Sequence, residues 1–182
     1  MIFKRVLTSV LVVGLMAGTF ALAGNARSQA TDLSDVTNRV RRALAGLPYY
    51  GVFDNLEFTI NEGVVTLTGQ VVRPVTKQDA ESRAKRVKGV ESVINNIEVL
   101  PLVSSDSRLR RVLYRTIFST AGMWRYRMGV NPSIHIIVNN GHVTLVGVVS
   151  SEQDKELAGI KANSVPGIFS VENKLRVEGK NQ

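Results

Sequence analysis

Apolar and polar residues alternate in several short segments of this chain. Residues 56–61 read LEFTIN and residues 64–71 read VVTLTGQV, with apolar side chains at every second position over most of each segment. A period of two is typical of strands with one buried face. Between the segments, Glu62-Gly63 predicts a tight turn, because glycine accepts the positive φ that such turns need. The pattern therefore predicts a β-hairpin over residues 56–71.

Helical spacing of apolar residues precedes and follows this hairpin. Apolar side chains recur three and four residues apart over 33–47, and a narrower stripe of small residues does the same over 80–87. Asp32 or Ser34 is available to cap the first helix. A last apolar strand follows over 93–99. The predicted order of elements is α-β-β-α-β.

The same pattern occurs twice at a constant offset of 78 residues. Residues 63–69 (GVVTLTG) align without a gap with residues 141–147 (GHVTLVG), and matching positions continue to 99 and 177. Such self-similarity indicates one structural unit used twice. Upstream the register slips, and the second copy carries about five extra residues near 123–128.

The second helix of each copy carries signals at its ends. Thr76 followed by Asp79 resembles a capping box, which predicts that the helix of the first copy begins near Thr76. Gly89 is expected as the C′ residue that ends this helix, because glycine readily adopts the left-handed conformation found there. Gly167 is expected to end the equivalent helix of the second copy.

The predicted fold class is α+β, with two tandem α-β-β-α-β modules. In each module the second strand, second helix and third strand form a βαβ unit, so these two strands should be parallel with a right-handed connection. Each module is then a small mixed three-stranded sheet with two helices packed on one face. The predicted boundaries are 31–100 for the first domain, 101–105 for a short linker, 106–178 for the second domain and 179–182 for a C-terminal tail. Because cores of this size are marginal alone, we expect the two modules to pack together.

The N-terminus predicts export. Lys4 and Arg5 precede an uncharged, mostly apolar run over 6–23, and small-x-small sites end at Ala23 and Ala30. This arrangement is typical of a signal peptide, so we expect residues 1–30 to be removed by a cut after Ala30 or Ala23. The alternative is an uncleaved anchor helix, since the apolar run is nearly long enough to span a membrane. The expected location is the periplasm or cell envelope, peripheral to a membrane.

These motifs resemble those of the BON family, the bacterial OsmY and nodulation domain. The family's Val-Thr-Leu-x-Gly-x-Val strand is present at 65–71 and 143–149, and its Gly-(Val/Ile)-x-x-Val-x-Asn strand at 89–95 and 167–173. The resemblance covers nearly all of the chain after residue 30 and is closest to the exported two-domain members. It implies a protein that associates with envelope phospholipid and supports envelope integrity or stress tolerance. The chain has no cysteine and therefore lacks the lipobox of the lipoprotein members.

The sequence offers little for catalysis or for a cofactor. The absence of cysteine excludes thiolate metal sites, cysteine nucleophiles and disulfides. His135 and His142 flank a predicted turn, but no acidic residue between Asp106 and Glu152 is available to complete a metal site. The chain has no nucleophile-elbow pattern and no phosphate-binding glycine loop. We expect no enzyme activity, no cofactor and no bound metal.

Positive charge is concentrated in the second half of the chain. Residues 31–100 hold nine basic and nine acidic side chains, whereas residues 101–182 hold eleven basic and six acidic ones, a net charge of +5. Arg108, Arg111 and Arg115 fall at i, i+3 and i+7, which forms one stripe on the helix face opposite its apolar side. The extra segment of the second copy adds further candidate residues: Trp124, Arg125, Tyr126 and Arg127.

This combination predicts contact with an anionic phospholipid surface. Aromatic rings favour the headgroup region of a membrane, and arginine binds phosphate through two parallel hydrogen bonds. The alternative is that Trp124, Tyr126 and the nearby methionines fill the core or the contact between copies, while the arginines are ordinary solvated surface.

Two other classes of partner fit parts of the sequence. Arginines interleaved with aromatic rings also suit nucleic acid, but export argues against that partner. A periplasmic module that binds envelope proteins is the alternative function, since small sheets leave strand edges that accept a peptide. Tyr49, Tyr50 and Phe53 in the first copy could serve such a contact or pack internally. The oligomeric state is left open.

Overall fold

A computed structural model describes the backbone of residues 21–129 and 131–179, with side chains from Leu33 onward. From Val36 onward the described residues form one compact unit. The predicted signal peptide lies largely outside the described residues, so its removal stays a prediction. In the part of the chain that is described, no helix is both long and apolar enough to cross a membrane.

The first module has the predicted order of elements. Its helices and strands are α1 (Ala21–Ala45), β1 (Asn55–Asn61), β2 (Val64–Val71), α2 (Pro74–Lys85), β3 (Ser92–Asn95) and β4 (Glu98–Val99). β1 pairs with β2 in antiparallel fashion, and both β3 and β4 pair with β2 in parallel. Val64 lies opposite Ser92 and Val71 opposite Val99. Because this register is unchanged across the gap, β3 and β4 are two parts of the single predicted strand.

The second module repeats this plan. Its elements are α3 (Ser104–Phe118), a short 3₁₀ helix (Met123–Arg127), β5 (Ile134–Asn139), β6 (His142–Val149), α4 (Glu152–Asn163) and β7 (Ser170–Val177). β5 and β6 are antiparallel, and β7 runs parallel to β6 with His142 opposite Ser170. The spacing between paired residues of the parallel strands is the same as in the first module. The predicted α+β class, with two tandem mixed sheets, is confirmed.

Each core lies between one sheet face and two helices. In the first module, Val40 of α1 and Ala80 of α2 are fully buried with Val65 of β2. In the second, Leu113 of α3 and Ala158 of α4 are fully buried together with strand residues of β5 and β6. The alternation in the sequence correctly separates these inward side chains from the outward ones, because side chains of a strand point to opposite faces.

The hairpin turn predicted at Glu62-Gly63 is confirmed, and so is its equivalent in the second copy. Glu62 and Gly63 have φ of 47° and 77°, and Asn140 and Gly141 have φ of 50° and 79°. Two consecutive positive φ values are the geometry of a two-residue turn whose twist matches that of the flanking strands.

The helix ends differ from the predictions. Among the described residues α1 covers Ala21–Ala45, so Asp32 and Ser34 lie inside it rather than at its cap. α2 begins at Pro74, because proline suits the first helical position, and the buried Thr76 makes no cap hydrogen bond. α2 already ends at Lys85, and α4 at Asn163. Gly89 and Gly167 therefore lie in the turns beyond these helices and are not their C′ residues.

A loop of the first module packs along β5. The Ile136 amide donates to the Val52 carbonyl at 2.7 Å, and the His135 Nδ1 atom lies 3.1 Å from the Gly51 carbonyl oxygen. The Tyr50 ring centroid is 5.4 Å from that of His135. β5 is an outer strand of its sheet, and this loop covers part of its free edge with one backbone hydrogen bond. The expected packing between the modules is thus observed.

Candidate functional site

α3 presents its arginine stripe away from the core. Leu109, Leu113 and Ile117 are buried, whereas the side chains on the other face are exposed. That exposed face carries Arg108, Arg111 and Arg115. Among the described residues none of these three arginines forms an ion pair, so their charge is open to a partner.

Arg110 has a different role from its neighbours. It is 4% exposed and donates from Nη2 to the Val138 carbonyl at 2.7 Å. Burial lowers the pKa of its guanidinium, and the nearby Asp106 acts in the opposite direction. Asp106 is itself fully buried and accepts from the amides of Asn140 and Gly141 at 2.7 and 2.9 Å. These two charged residues therefore hold α3 against the hairpin of β5 and β6.

The 3₁₀ helix divides its side chains between the core and the solvent. Met123 and Tyr126 are buried, whereas Trp124 is 54% exposed and Met128 57% exposed. The core-filling interpretation is therefore correct for Met123 and Tyr126, and contact of Trp124 with a membrane stays a prediction. Met123 and Tyr126 fill the core, and Trp124 and Met128 are available on the surface.

Arg125 and Tyr126 are fixed by Asp154 of α4. The Arg125 Nη2 atom and the Tyr126 hydroxyl donate to one Asp154 carboxylate oxygen at 2.7 and 2.8 Å. The Ser151 hydroxyl donates to the same oxygen at 2.6 Å, and this bond is the main reason that the pKa of Asp154 lies below its usual range. The Tyr126 hydroxyl also accepts from the Ser150 amide at 2.9 Å. This network attaches the 3₁₀ helix to the start of α4 and balances the charge of Arg125.

Arg127 connects the 3₁₀ helix to α3. Its Nη1 atom lies 3.4 Å from the hydroxyl of Tyr114, and its side chain is exposed. We call the exposed cations and the indole together the arginine surface. Its members are Arg108, Arg111, Arg115, Trp124 and Arg127. Of the other predicted site residues, Arg125 is exposed but paired with Asp154, and Tyr126 is buried.

The two histidines do not approach a common site. His135 packs against the loop of the first module, and burial lowers the pKa of its imidazole. His142 is exposed, with its Nδ1 atom 2.7 Å from the Ser170 hydroxyl. Within residues 33–129 and 131–179, no group of three or more histidine or acidic side chains could hold a metal ion.

Comparison with protein families identifies the repeated module. The BON domain family matches residues 32–101 and 125–179, which is well over half of the chain. The chain belongs to the BON family. BON domains are associated with phospholipid binding and with envelope and stress roles, and the family is generally non-enzymatic. The second match begins at Arg125, so the arginine stripe of α3 precedes the matched range.

Similar proteins add little about function. A relative from Anaplasma centrale, described as an uncharacterized protein in the gshII 5′ region, is 32% identical over 139 residues, covering 73% of this chain and 80% of the relative. Two structures of CdsD, a structural protein of the type III secretion system of Chlamydia trachomatis, are 13% identical with TM-scores of 0.33 and 0.31. They cover 79% and 80% of this chain and 97% and 94% of their own.

The sequence pattern predicted the exposed arginines but not the ion pair between Arg125 and Asp154. Asp154 lies 29 residues beyond Arg125, and no local signal joins the two. The only hint was Asp154 at the third residue of a helix whose cap, Ser151, accepts from its amide at 3.2 Å.

Proposed function

We propose that the protein is a non-enzymatic envelope protein that binds anionic phospholipid through its arginine surface. The observation that carries this proposal is the exposure of Arg108, Arg111 and Arg115 without an ion pair in the described part of the chain. The exposed indole of Trp124 adds a group that favours the headgroup region of a membrane.

Electrostatics sets the expected strength of this binding. Each arginine near an anionic membrane contributes about 1 kcal/mol, so the four arginines of the surface together support weak, reversible attachment. The attraction falls off within a Debye length, which is about 10 Å at 0.1 M salt. Binding should therefore weaken steeply as the salt concentration rises.

The proposed location is the periplasmic side of the cell envelope, reached by cleavage of residues 1–30. The charged start, apolar run and small-residue exit of the N-terminus support export. Family membership together with this proposed location supports a role in envelope integrity or stress tolerance.

Co-sedimentation with liposomes tests the proposal. The protein is mixed with vesicles of neutral phosphatidylcholine, with and without anionic phosphatidylglycerol, at low and high salt. We expect binding only to the anionic vesicles and mainly at low salt. The variant Arg108→Gln/Arg111→Gln/Arg115→Gln should bind about 100-fold more weakly, because about 3 kcal/mol of attraction is removed.

The first module offers a matched control. Arg41, Arg86 and Lys88 are exposed cations there, and changing all three to glutamine removes the same charge from the molecule. This control should bind as the wild type does. An equal loss in both variants would mean that net charge, rather than the arginine surface, governs binding. If the wild type binds no vesicles, the alternative function, binding of envelope proteins, becomes the favoured one.

A further inference from the structure

A polar cleft lies between the two modules, apart from the arginine surface. Its volume is about 420 Å³, within the range typical of small-molecule sites. The first module contributes Gln70 and Leu100, and the outer face of the second sheet contributes the remaining lining residues. In the second module, the lining side chains that can hydrogen-bond are those of Asn139, Asn140, His142 and Thr144.

The lining of this cleft is polar, and one carboxylate lies beside it. Side-chain amides present donors and an acceptor together, and the threonine hydroxyl does both. Glu98 stands at the wall, 3.5 Å from the amide nitrogens of Gln70 and Asn139. Among the described residues, no lysine or arginine lines the cleft. Such a surface matches a neutral ligand that carries many hydroxyl groups better than it matches an anion.

An exposed aromatic ring is fixed near the cleft. Phe169 is 78% exposed, and its ring centroid lies 5.8 Å from that of His142. Its amide donates to the Gly141 carbonyl at 2.9 Å. Its ring also packs so closely on Gly141 that a Cβ atom there would lie 2.7 Å from a ring carbon. The ring is therefore held in place with most of its area open to solvent, where the apolar face of a ligand can cover it.

The repeat shows that the fold does not require this ring. The position of Phe169 is occupied by Glu91 in the first module, and that of His142 by Val64. Glu91 donates from its amide to the Gly63 carbonyl at 2.8 Å, as Phe169 does to Gly141. The same backbone thus carries an ordinary solvated carboxylate in one copy and an exposed phenyl ring in the other. The aromatic pair is a feature of the second module alone.

We propose that this cleft binds a neutral saccharide. The amide and hydroxyl side chains hydrogen-bond the sugar hydroxyls, and the apolar C–H face of a sugar ring lies on Phe169. The imidazole of His142, held by Ser170 on one side, offers its other ring nitrogen to the ligand.

Titration followed by amide NMR tests this proposal. The full chain is expressed with its N-terminal segment. It is purified as the expression host processes it, whether or not that segment is cleaved. Maltotriose and triacetylchitotriose serve as neutral probes, and trigalacturonate and triglycine as acidic and peptide comparisons. We expect at least one neutral probe to shift the amide resonances of Asn139, Asn140 and His142 with saturation in the millimolar range.

Variants that copy the first module provide the control. Phe169→Glu and His142→Val insert residues that the same backbone already carries in the first copy, so both should retain a dispersed spectrum. Each should weaken saccharide binding at least tenfold, whereas Glu91→Ala should leave it unchanged. The proposal is overturned if neither neutral probe shifts these resonances at about 20 mM. It is also overturned if trigalacturonate or triglycine binds as well, or if Phe169→Glu has no effect.

Discussion

His135 shows how one residue acquires its properties from the other module. On its strand it lies opposite in parity to Ile134 and Ile136, a position that usually faces solvent. It is nevertheless only 8% exposed, because the loop at Gly51 and the ring of Tyr50 cover it. Burial lowers the pKa of its imidazole, although the Gly51 carbonyl and the Asp54 carboxylate act in the opposite direction.

This burial predicts that His135 makes stability fall with acidification. The usual pKa of histidine is 6.5, and the folded value lies below it. As the pH falls through about 6.5, the unfolded chain takes up a proton that the folded chain resists, so the free energy of unfolding decreases. Asp54 contributes the opposite trend, because burial raises its pKa from 3.8 and the folded chain therefore gains stability as the pH falls through that raised pKa.

Urea unfolding at about pH 7.5 and about pH 5.5 measures the effect. We expect the wild type to lose stability over this interval, and His135→Gln to lose clearly less. His142→Gln is the matched control, because that side chain is exposed and hydrogen-bonds Ser170 rather than the loop of the first module. An unchanged pH dependence in His135→Gln would contradict the account of this interface.

At the scale of elements, the turn after α2 is shaped by α1. Gly89 has φ of +95°, and a Cβ atom there would lie 2.7 Å from a methyl carbon of Val36. Gly129 has a similar φ of +92°, but a Cβ atom there would meet no described atom within 4 Å. The two glycines therefore share the backbone requirement and differ in the close contact.

Alanine substitution separates these two effects. Gly129→Ala should cost about 1 kcal/mol of unfolding free energy, the strain of a left-handed conformation. Gly89→Ala should cost about 1–3 kcal/mol more than Gly129→Ala, because the added methyl must displace α1. Chemical denaturation of both variants checks this difference. Equal losses would mean that the packing of the turn on α1 contributes nothing.

Elements with a local cause were predictable from the sequence. The hairpin turns follow from Glu62-Gly63 and Asn140-Gly141, and the parallel pairing follows from the βαβ order, so both were predicted correctly. The start of α2 was not, because the fixed φ of Pro74 outweighed the capping pattern at Thr76. The prediction that Gly89 is the C′ residue of α2 was wrong, and its close contact with Val36 of α1 has no signal in the local sequence.

The candidate site divides in the same way. The exposure of Arg108, Arg111 and Arg115 follows from helical spacing alone. The Tyr126 hydroxyl and the Arg125 guanidinium both hydrogen-bond Asp154. The Arg110 guanidinium hydrogen-bonds the carbonyl of Val138. These partners are brought together only by the tertiary fold, so the sequence could not distinguish free arginines from engaged ones.

At the scale of the whole molecule, the two modules are joined by more than a linker. The ring of Phe53 meets that of Tyr114 at 6.2 Å and packs on the second core. The edge of β5 is covered by the same loop. The two cores should therefore unfold together.

The variant Phe53→Ala tests this coupling. Removal of the ring should cost about 2–4 kcal/mol, somewhat less than for a fully buried phenylalanine. It should also split a single unfolding transition into two. Tyr49→Ala is the control, because Tyr49 is 51% exposed and lies under the Arg73 guanidinium rather than against the second core. A single, unchanged calorimetric transition in Phe53→Ala would contradict the coupled unfolding of the two cores.

Membrane contact by the arginine surface is the central claim at this scale, and Trp124 reports on it directly. It is the only tryptophan in the chain, so its fluorescence needs no label and has no competing signal. The decisive measurement is its emission spectrum in the presence of anionic vesicles that contain brominated lipids. We predict a shift to shorter wavelength and quenching at low salt, both lost in Arg108→Gln/Arg111→Gln/Arg115→Gln. An unchanged spectrum from protein that co-sediments with the vesicles would contradict the account, because another surface would then be making the contact.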